Sequence, residues 1–153
     1  MILPWPRAPV SAVLAGSVIR PHHSCLMVPP GRPKILICDD DKAVASLVAG
    51  ILRPAGFDVI MAFDPVQGYR MVLHEKPSMV LLDLQMPAGG GVQMLDHLLA
   101  STRTHSIPVI ILSATPASEK AAELRAHGAV ANLEKPIEAA VLLEAVRSVF
   151  HAD

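Results

Sequence analysis

The sequence predicts an α/β fold, an open parallel sheet with helices wound over both faces. Three observations lead there. From Lys34 onward, short apolar runs alternate with longer stretches of helical spacing. The runs are rich in Val, Ile and Leu almost throughout, as strands covered on both faces must be. Chemistry-bearing residues stand directly after four of the five runs, at the carboxyl ends where such sheets bind ligands.

The first run, Lys34–Cys38, is read as a strand. Lys42–Leu52 then places Val44, Leu47, Val48, Ile51 and Leu52 on one helical stripe, with Gly56 just beyond its end. Asp58–Ala62 is the second strand. Asp64 is expected to cap a second helix reaching His74, with Pro65 in its first turn. Met79–Leu82 is the third strand, and Asp83 follows it into a loop of Met86, Pro87, Gly89, Gly90 and Gly91 that leaves room for a phosphate.

Val92–Ser101 predicts a third helix around Leu95, Leu98 and Leu99, and Pro108–Leu112 a fourth strand. Ser118–His127 reads as a fourth helix, ended by Gly128 as a left-handed cap. Val130–Leu133 is the fifth strand. Ile137–Phe150 is the fifth helix, with Val141, Leu142, Ala145, Val146 and Val149 turned inward. The count is (βα)5, with no internal repeat at solenoid spacing.

Residues 1–33 differ from this pattern. They hold seven of the fourteen prolines, the single Trp, three arginines and no acidic residue. The remainder has ten basic against fourteen acidic residues, so the two parts differ in sign as well as in proline content. The expected organisation is a Pro-rich, disordered extension over 1–33 and one domain over 34–153. Arg7, a short apolar stretch and the small residues Ala15, Gly16 and Ser17 have the outline of a secretory signal, but Pro4, Pro6 and Pro9 crowd the region its helix would use. The chain ends three residues after the last helix, so no output domain is expected to follow.

Composition narrows the function further. With 52% apolar residues the domain can bury a substantial core without metal or disulfide staples. Cys25 and Cys38 are too few for a disulfide framework, which fits a reducing, cytoplasmic setting. No run is long enough to span a bilayer, and even Val10–Ile19 is broken by Ser11, Gly16 and Ser17. A formal charge of −1 gives no basic field for nucleic acid.

The strand ends carry Asp39, Asp40 and Asp41 after the first strand, Asp83 after the third, Ser113 after the fourth and Lys135 after the fifth. Carboxylates converging there repel one another, and a hard divalent cation offsets that repulsion. Mg²⁺ suits such a site, with Mn²⁺ as the runner-up. Phosphoryl transfer needs positioning and neutralisation more than a strong nucleophile, and a metal, a hydroxyl and a lysine supply both. Asp83 is the best nucleophile. Lys135 is a compact point charge whose following Pro136 predicts a cis or sharply turned peptide, and Ser113 offers a hydroxyl able to report a new phosphate to the fourth helix.

Four motifs carry a family resemblance: ILICDDD at 35–41, LLDLQMP at 81–87 with Gly91, VIILSAT at 109–115 and EKPI at 134–137. Over Lys34–Phe150 the chain resembles the receiver domain of bacterial response regulators, including the stand-alone regulators of chemotaxis. The resemblance implies a flavodoxin-like (βα)5 fold with strand order 2-1-3-4-5. It implies Asp83 as phosphoacceptor, Asp40 as direct metal ligand, Asp39 as an acidic partner acting largely through water, and Gln85 as a ligand through its main-chain carbonyl. Ser113 and Lys135 match the switch hydroxyl and the phosphate-binding lysine.

The resemblance further implies a histidine kinase or histidine phosphotransfer protein as donor, with intrinsic phosphotransfer and autodephosphorylation only. Output would pass to a partner protein, or through a homodimer, by the face of the fourth helix, fifth strand and fifth helix, without direct nucleic-acid binding. Two departures stand out. Asn132 occupies a position where the family usually places a Tyr or Phe that couples to the switch hydroxyl; Gln85 and Thr115 hold positions that in the family tune how water approaches the phosphate.

The sequence also admits other readings. Asp41 reads as a helix cap. His22, His23 and Cys25 lack a fourth metal ligand at suitable spacing. His74, His97, His105, His127 and His151 read as solvated surface, and Met61, Met71, Met79, Met86 and Met94 as core or loop filling. Asp39-Asp40-Asp41 also reads as the D-x-D of a haloacid dehalogenase-type phosphatase with Asp39 as nucleophile, although Asp83 would then have no role. A pseudo-receiver that binds a partner without phosphorylation is the remaining alternative.

Overall fold

The computed structural model describes residues 31–87, 90–114, 126 and 128–151. Five strands form one parallel sheet in the order β2-β1-β3-β4-β5: β1 Lys34–Cys38, β2 Asp58–Ala62, β3 Met79–Asp83, β4 Val109–Ser113 and β5 Ala131–Glu134. Four helices complete the description: α1 Lys42–Leu52, α2 Pro65–Glu75, α3 Gly90–Ala100 and α4 Ala139–Phe150. This is the expected flavodoxin-like arrangement. The expected helix over Ser118–His127 falls almost wholly outside the described residues, as do Thr115, His22, His23, Cys25 and His127.

Strand alternation divides the core into two layers. Ile35, Ile37, Met79, Leu81, Ile110, Leu112, Ala131 and Leu133 face one side, where they meet α1 and α4. Leu36, Val80, Leu82, Val109 and Ile111 face the other and meet Val72 of α2 and Met94, Leu95 and Leu98 of α3. Each fully buried Leu or Ile contributes about 1.5–3 kcal/mol, so two-sided burial of these short strands is the main support of the sheet. Phe57 and Phe150 stack with ring centroids 5.7 Å apart at the edge of the first layer.

Local signals set the helix starts. Asp41 Oδ1 accepts from the amides of Ala43 and Val44, and Asp64 Oδ1 from Gln67, so both act as N-caps. The third helix departs from its expected range. It begins at Gly90 rather than Val92 and ends at Ala100, so Gly90 and Gly91 belong to its first turn and not to an open loop. A Cβ on Gly91 would lie 2.5 Å from the Asp83 carbonyl oxygen and 2.6 Å from that of Leu84, so only glycine lets the helix start this close to β3.

Smaller shifts recur elsewhere. β3 extends through Asp83, β4 runs one residue later than expected, β5 begins at Ala131 and reaches Glu134, and α4 begins at Ala139 rather than Ile137. In each strand the polar terminal residue still pairs with a neighbouring strand, as in the registers Asp83 with Leu112 and Ser113 with Glu134. An apolar-run reading stops at the polarity change, whereas the hydrogen-bond ladder does not.

Candidate functional site

The order 2-1-3-4-5 places the switch of winding direction between β1 and β3, where ligands bind in open α/β sheets. Cys38 pairs with Leu82, so the residues that follow them, Asp39 after β1 and Asp83 at the end of β3, stand abreast at that crevice. Alternation then fixes which way they point. Asp39 continues the series Ile35 and Ile37, Asp83 continues Met79 and Leu81, and Lys135 continues Ala131 and Leu133, all on the layer shared with α1 and α4.

The three side chains meet as that parity requires. Lys135 Nζ lies 3.0 Å from Asp39 Oδ2 and 3.3 Å from Asp83 Oδ1. Asp39 Oδ1 accepts from the Asp41 amide at 2.9 Å, and Asp83 Oδ1 from the Gln85 amide at 3.1 Å. Asp83 Oδ2 has no hydrogen-bond partner among the described residues. Asp40 is exposed, yet carboxylate oxygens of Asp39, Asp40 and Asp83 all come within 4.8 Å of one another.

Such a set could hold a metal ion. At that separation two unit charges repel by about 3–4 kcal/mol at an effective dielectric near 20. Three carboxylates and one ammonium leave two net negative charges, which a divalent cation would cancel. Oxygen-only donors with an open, partly solvated side suit a hard ion such as Mg²⁺ rather than a soft one.

The protonation equilibria carry the same signature. Burial pushes the Asp83 carboxyl up from 3.8 to about 6, the Asp39 charge adds to the rise, and the Gln85 amide and Lys135 oppose it. For Lys135, burial acts to lower the value, but the hydrogen bond to Asp39 and the charge of Asp83 outweigh it and raise the ammonium above its ordinary range. Beneath the crevice, burial and then the nearby carboxylates push the Cys38 thiol up to about 12, so it stays a neutral core group.

Ser113 is fully buried, and its main-chain carbonyl accepts from the Lys135 amide at 2.7 Å, which ties the ends of β4 and β5 together. The Lys135–Pro136 peptide is cis. Asn132 is 2% exposed in the middle of β5, opposite Ile111. Gln85 makes a contact that sequence reasoning missed: its side-chain Oε1 accepts from the Ala114 amide at 3.4 Å and bridges the loops after β3 and β4. Only its position after the strand hinted at this. Sequence reasoning also paired Lys135 with Asp83 alone, whereas its shorter contact is to Asp39.

A family model described as the response regulator receiver domain matches residues 35–147. The chain belongs to that family. Among curated relatives of this receiver, the DNA-binding dual master transcriptional regulator RpaA of Synechocystis sp. is 34% identical over 117 residues, covering 76% of this chain and 48% of RpaA. The receiver spans about half the length, or less, of the curated relatives it matches first. A sensor protein from Polaromonas sp. JS666 superposes with a TM-score of 0.70 at 31% identity, covering 77% of this chain and 96% of that one. The chemotaxis protein CheY4 of Vibrio cholerae shares the fold, with a TM-score of 0.72 at 24% identity over 78% of this receiver and 99% of that chain.

Four of the expected histidines, His74, His97, His105 and His151, are exposed, consistent with their reading as surface. No helix among the described residues is long and apolar enough to cross a membrane.

Proposed function

We propose that this receiver takes a phosphoryl group onto Asp83 from a phosphohistidine of a histidine kinase or histidine phosphotransfer protein. The observation that carries the reading is Lys135 shared between Asp39 and Asp83, at the mouth of a carboxylate cluster with two uncancelled charges. Both oxygens of Asp39 are engaged and its side chain is fully buried, whereas Asp83 keeps Oδ2 for attack. This supports Asp83 over Asp39 as the nucleophile and speaks against phosphatase chemistry on Asp39.

In the transfer, Asp83 Oδ2 attacks phosphorus, the P–N bond to the donor imidazole breaks, and the imidazole nitrogen takes the bonding pair. The product is an acyl phosphate. In the reverse sense of signalling, water attacks that phosphorus, the P–O bond to Asp83 breaks, and the carboxylate and inorganic phosphate separate. Asp39, Asp40, Asp83 and the Gln85 main-chain carbonyl would hold Mg²⁺, or Mn²⁺ in its place, with Asp40 the direct ligand and Asp39 acting largely through water. Bound there, the ion neutralises developing charge on the phosphoryl oxygens.

Lys135 supplies the second positive charge, and Ser113 donates its hydroxyl to a phosphate oxygen. Thr115 and Asn132 modulate the site, the first through access of water and the second through the packing of β5. The phosphate favours one of two arrangements of segment 118–127, β5 and α4, and that face passes the signal to a partner protein or to a second copy. The negative charge of residues 34–153 gives no basic field, so direct nucleic-acid binding is not part of this reading, and the cytoplasm is the compartment that supplies the donor.

Intact-mass measurement after incubation with acetyl phosphate tests this. The protein should gain one phosphoryl group with Mg²⁺ present, gain far less with a chelator, and gain none as Asp83→Asn. Equal labelling of Asp83→Asn would remove Asp83 from the role. Failure of the parent chain to take up either phosphate or beryllofluoride would favour a phosphorylation-independent interaction module.

A further inference from the structure

At the opposite end of the sheet, before β3 and β4 begin, a cavity of about 390 Å³ opens between the last turn of α2 and residues 103–107. Its apolar walls are Val72, Leu73, Pro77 and Ile107. Lys76 and Arg103 also line it. Strands of five residues span roughly 15 Å, so this cavity and the Asp83 crevice are separate sites.

The volume falls in the range of small-molecule sites, which combine mostly apolar walls with a few convergent polar groups. One wall is fixed. Thr104 is buried and gives its hydroxyl to the Leu98 carbonyl at 2.6 Å, so the turn behind the cavity is tied to α3.

Charge identifies the occupant. Neither the Lys76 ammonium nor the Arg103 guanidinium has an acidic partner among the described residues, and the adjacent Glu75 is already held by Lys34 at 3.0 Å. The carbonyl ends of α2 and α3 point toward this region and carry partial negative charge, but two full positive charges exceed it. Lys76 also sits where a lysine is unfavourable. It caps α2 with φ 49°, the sole non-glycine residue at positive φ among the described residues, at a position that favours Gly or Asn.

We propose that this cavity binds a small anionic amphiphile, its apolar body against Val72, Leu73, Pro77 and Ile107 and its carboxylate or phosphate head between Lys76 and Arg103. The site is independent of phosphorylation at Asp83.

Titration of the full chain with octanoate, octyl phosphate and 1-octanol, followed by amide NMR shifts in the presence of a chelator, tests the proposal. At least one anion should bind saturably and move the amides of residues 72–76 and 103–107; octanoate binding more tightly assigns a carboxylate head, octyl phosphate a phosphate head. Octanol, lacking the charge, should bind about fivefold or more weakly, and Lys76→Gly and Arg103→Ala should each weaken the anion about threefold to fivefold. Lys76→Gly also relieves the left-handed backbone, so its affinity loss should come without loss of thermal stability. Octanol binding as tightly as the anions, absence of saturable shifts at the cavity with both anions, or variants that bind like the parent would overturn the assignment.

Discussion

Replacing Asp83 by Asn should make the metal-free protein more stable, by an amount that depends on pH. The Asp83 side chain is nearly inaccessible, and its carboxyl rises from 3.8 to about 6 on folding, chiefly through burial. The folded chain therefore holds a proton that the unfolded chain has released between those values. The associated stability is fully present below about pH 3.8 and is lost as pH rises through about 6. At about 1.4 kcal/mol per pH unit, this amounts to about 3 kcal/mol above that window.

Asp83→Asn keeps the shape and removes the titration, while Lys135 retains Asp39 at 3.0 Å. The variant's advantage over the parent should grow across the same window and level off at about 2–3 kcal/mol, on the order of 10 °C in midpoint for a domain of this size. Urea denaturation of both chains at a series of pH values, with a chelator present, measures it. A difference that stays flat from pH 4 to 7, or a variant less stable than its parent at neutral pH, would refute the reasoning. Mg²⁺ should then narrow the gap by stabilising the parent more, with about 2.7 kcal/mol available at a hundredfold excess over Kd.

Lys135→Ala strands the buried Asp39 carboxylate beside Asp83 and should cost about 3 kcal/mol in metal-free buffer, read by the same denaturation. Phosphoryl uptake from acetyl phosphate should fall in parallel. Gly91→Ala forces a methyl group against the Asp83 and Leu84 carbonyl oxygens and should cost about 1–3 kcal/mol, with slower phosphorylation because the loop carrying Gln85 must shift. Asp41→Ala removes the α1 cap and should cost about 1 kcal/mol in thermal denaturation while leaving uptake of phosphate largely intact.

The strand centres and the first helix were legible because their apolar periodicities are strong and their caps explicit: Lys34–Cys38, Lys42–Leu52 and Asp58–Ala62 match residue for residue. The misplaced carboxyl ends of the strands share one cause. A reading of polarity treats Asp83, Ser113 and Glu134 as the first loop residues, although each remains in the ladder. Gly90 and Gly91 looked like loop because glycine disfavours helices, yet contact with Pro65 and with the Asp83 and Leu84 carbonyls makes their missing side chains a packing requirement. The cavity at Lys76 and Arg103 had no sequence signal at all, since it depends on two segments about 27 residues apart meeting across the ends of α2 and α3.

Parity made the acidic site legible as a unit. Asp39, Asp83 and Lys135 each continue the alternation of a buried strand, two residues beyond Ile37, Leu81 and Leu133, so the same rule that fills one core layer aims all three at one point. The placement has a mechanical consequence for the proposed switch. Lys135 is bound at both ends, through its amide to the Ser113 carbonyl and through its ammonium to Asp39 and Asp83. A phosphoryl group on Asp83 adds about one further negative charge and three strong acceptors. It would therefore compete with Asp39 for the ammonium, and a cation compensating Asp39 would favour that release. On the proposed mechanism, charge at one carboxylate would thereby become tension on the β4–β5 junction, and a bound cation would serve the signal as well as the chemistry.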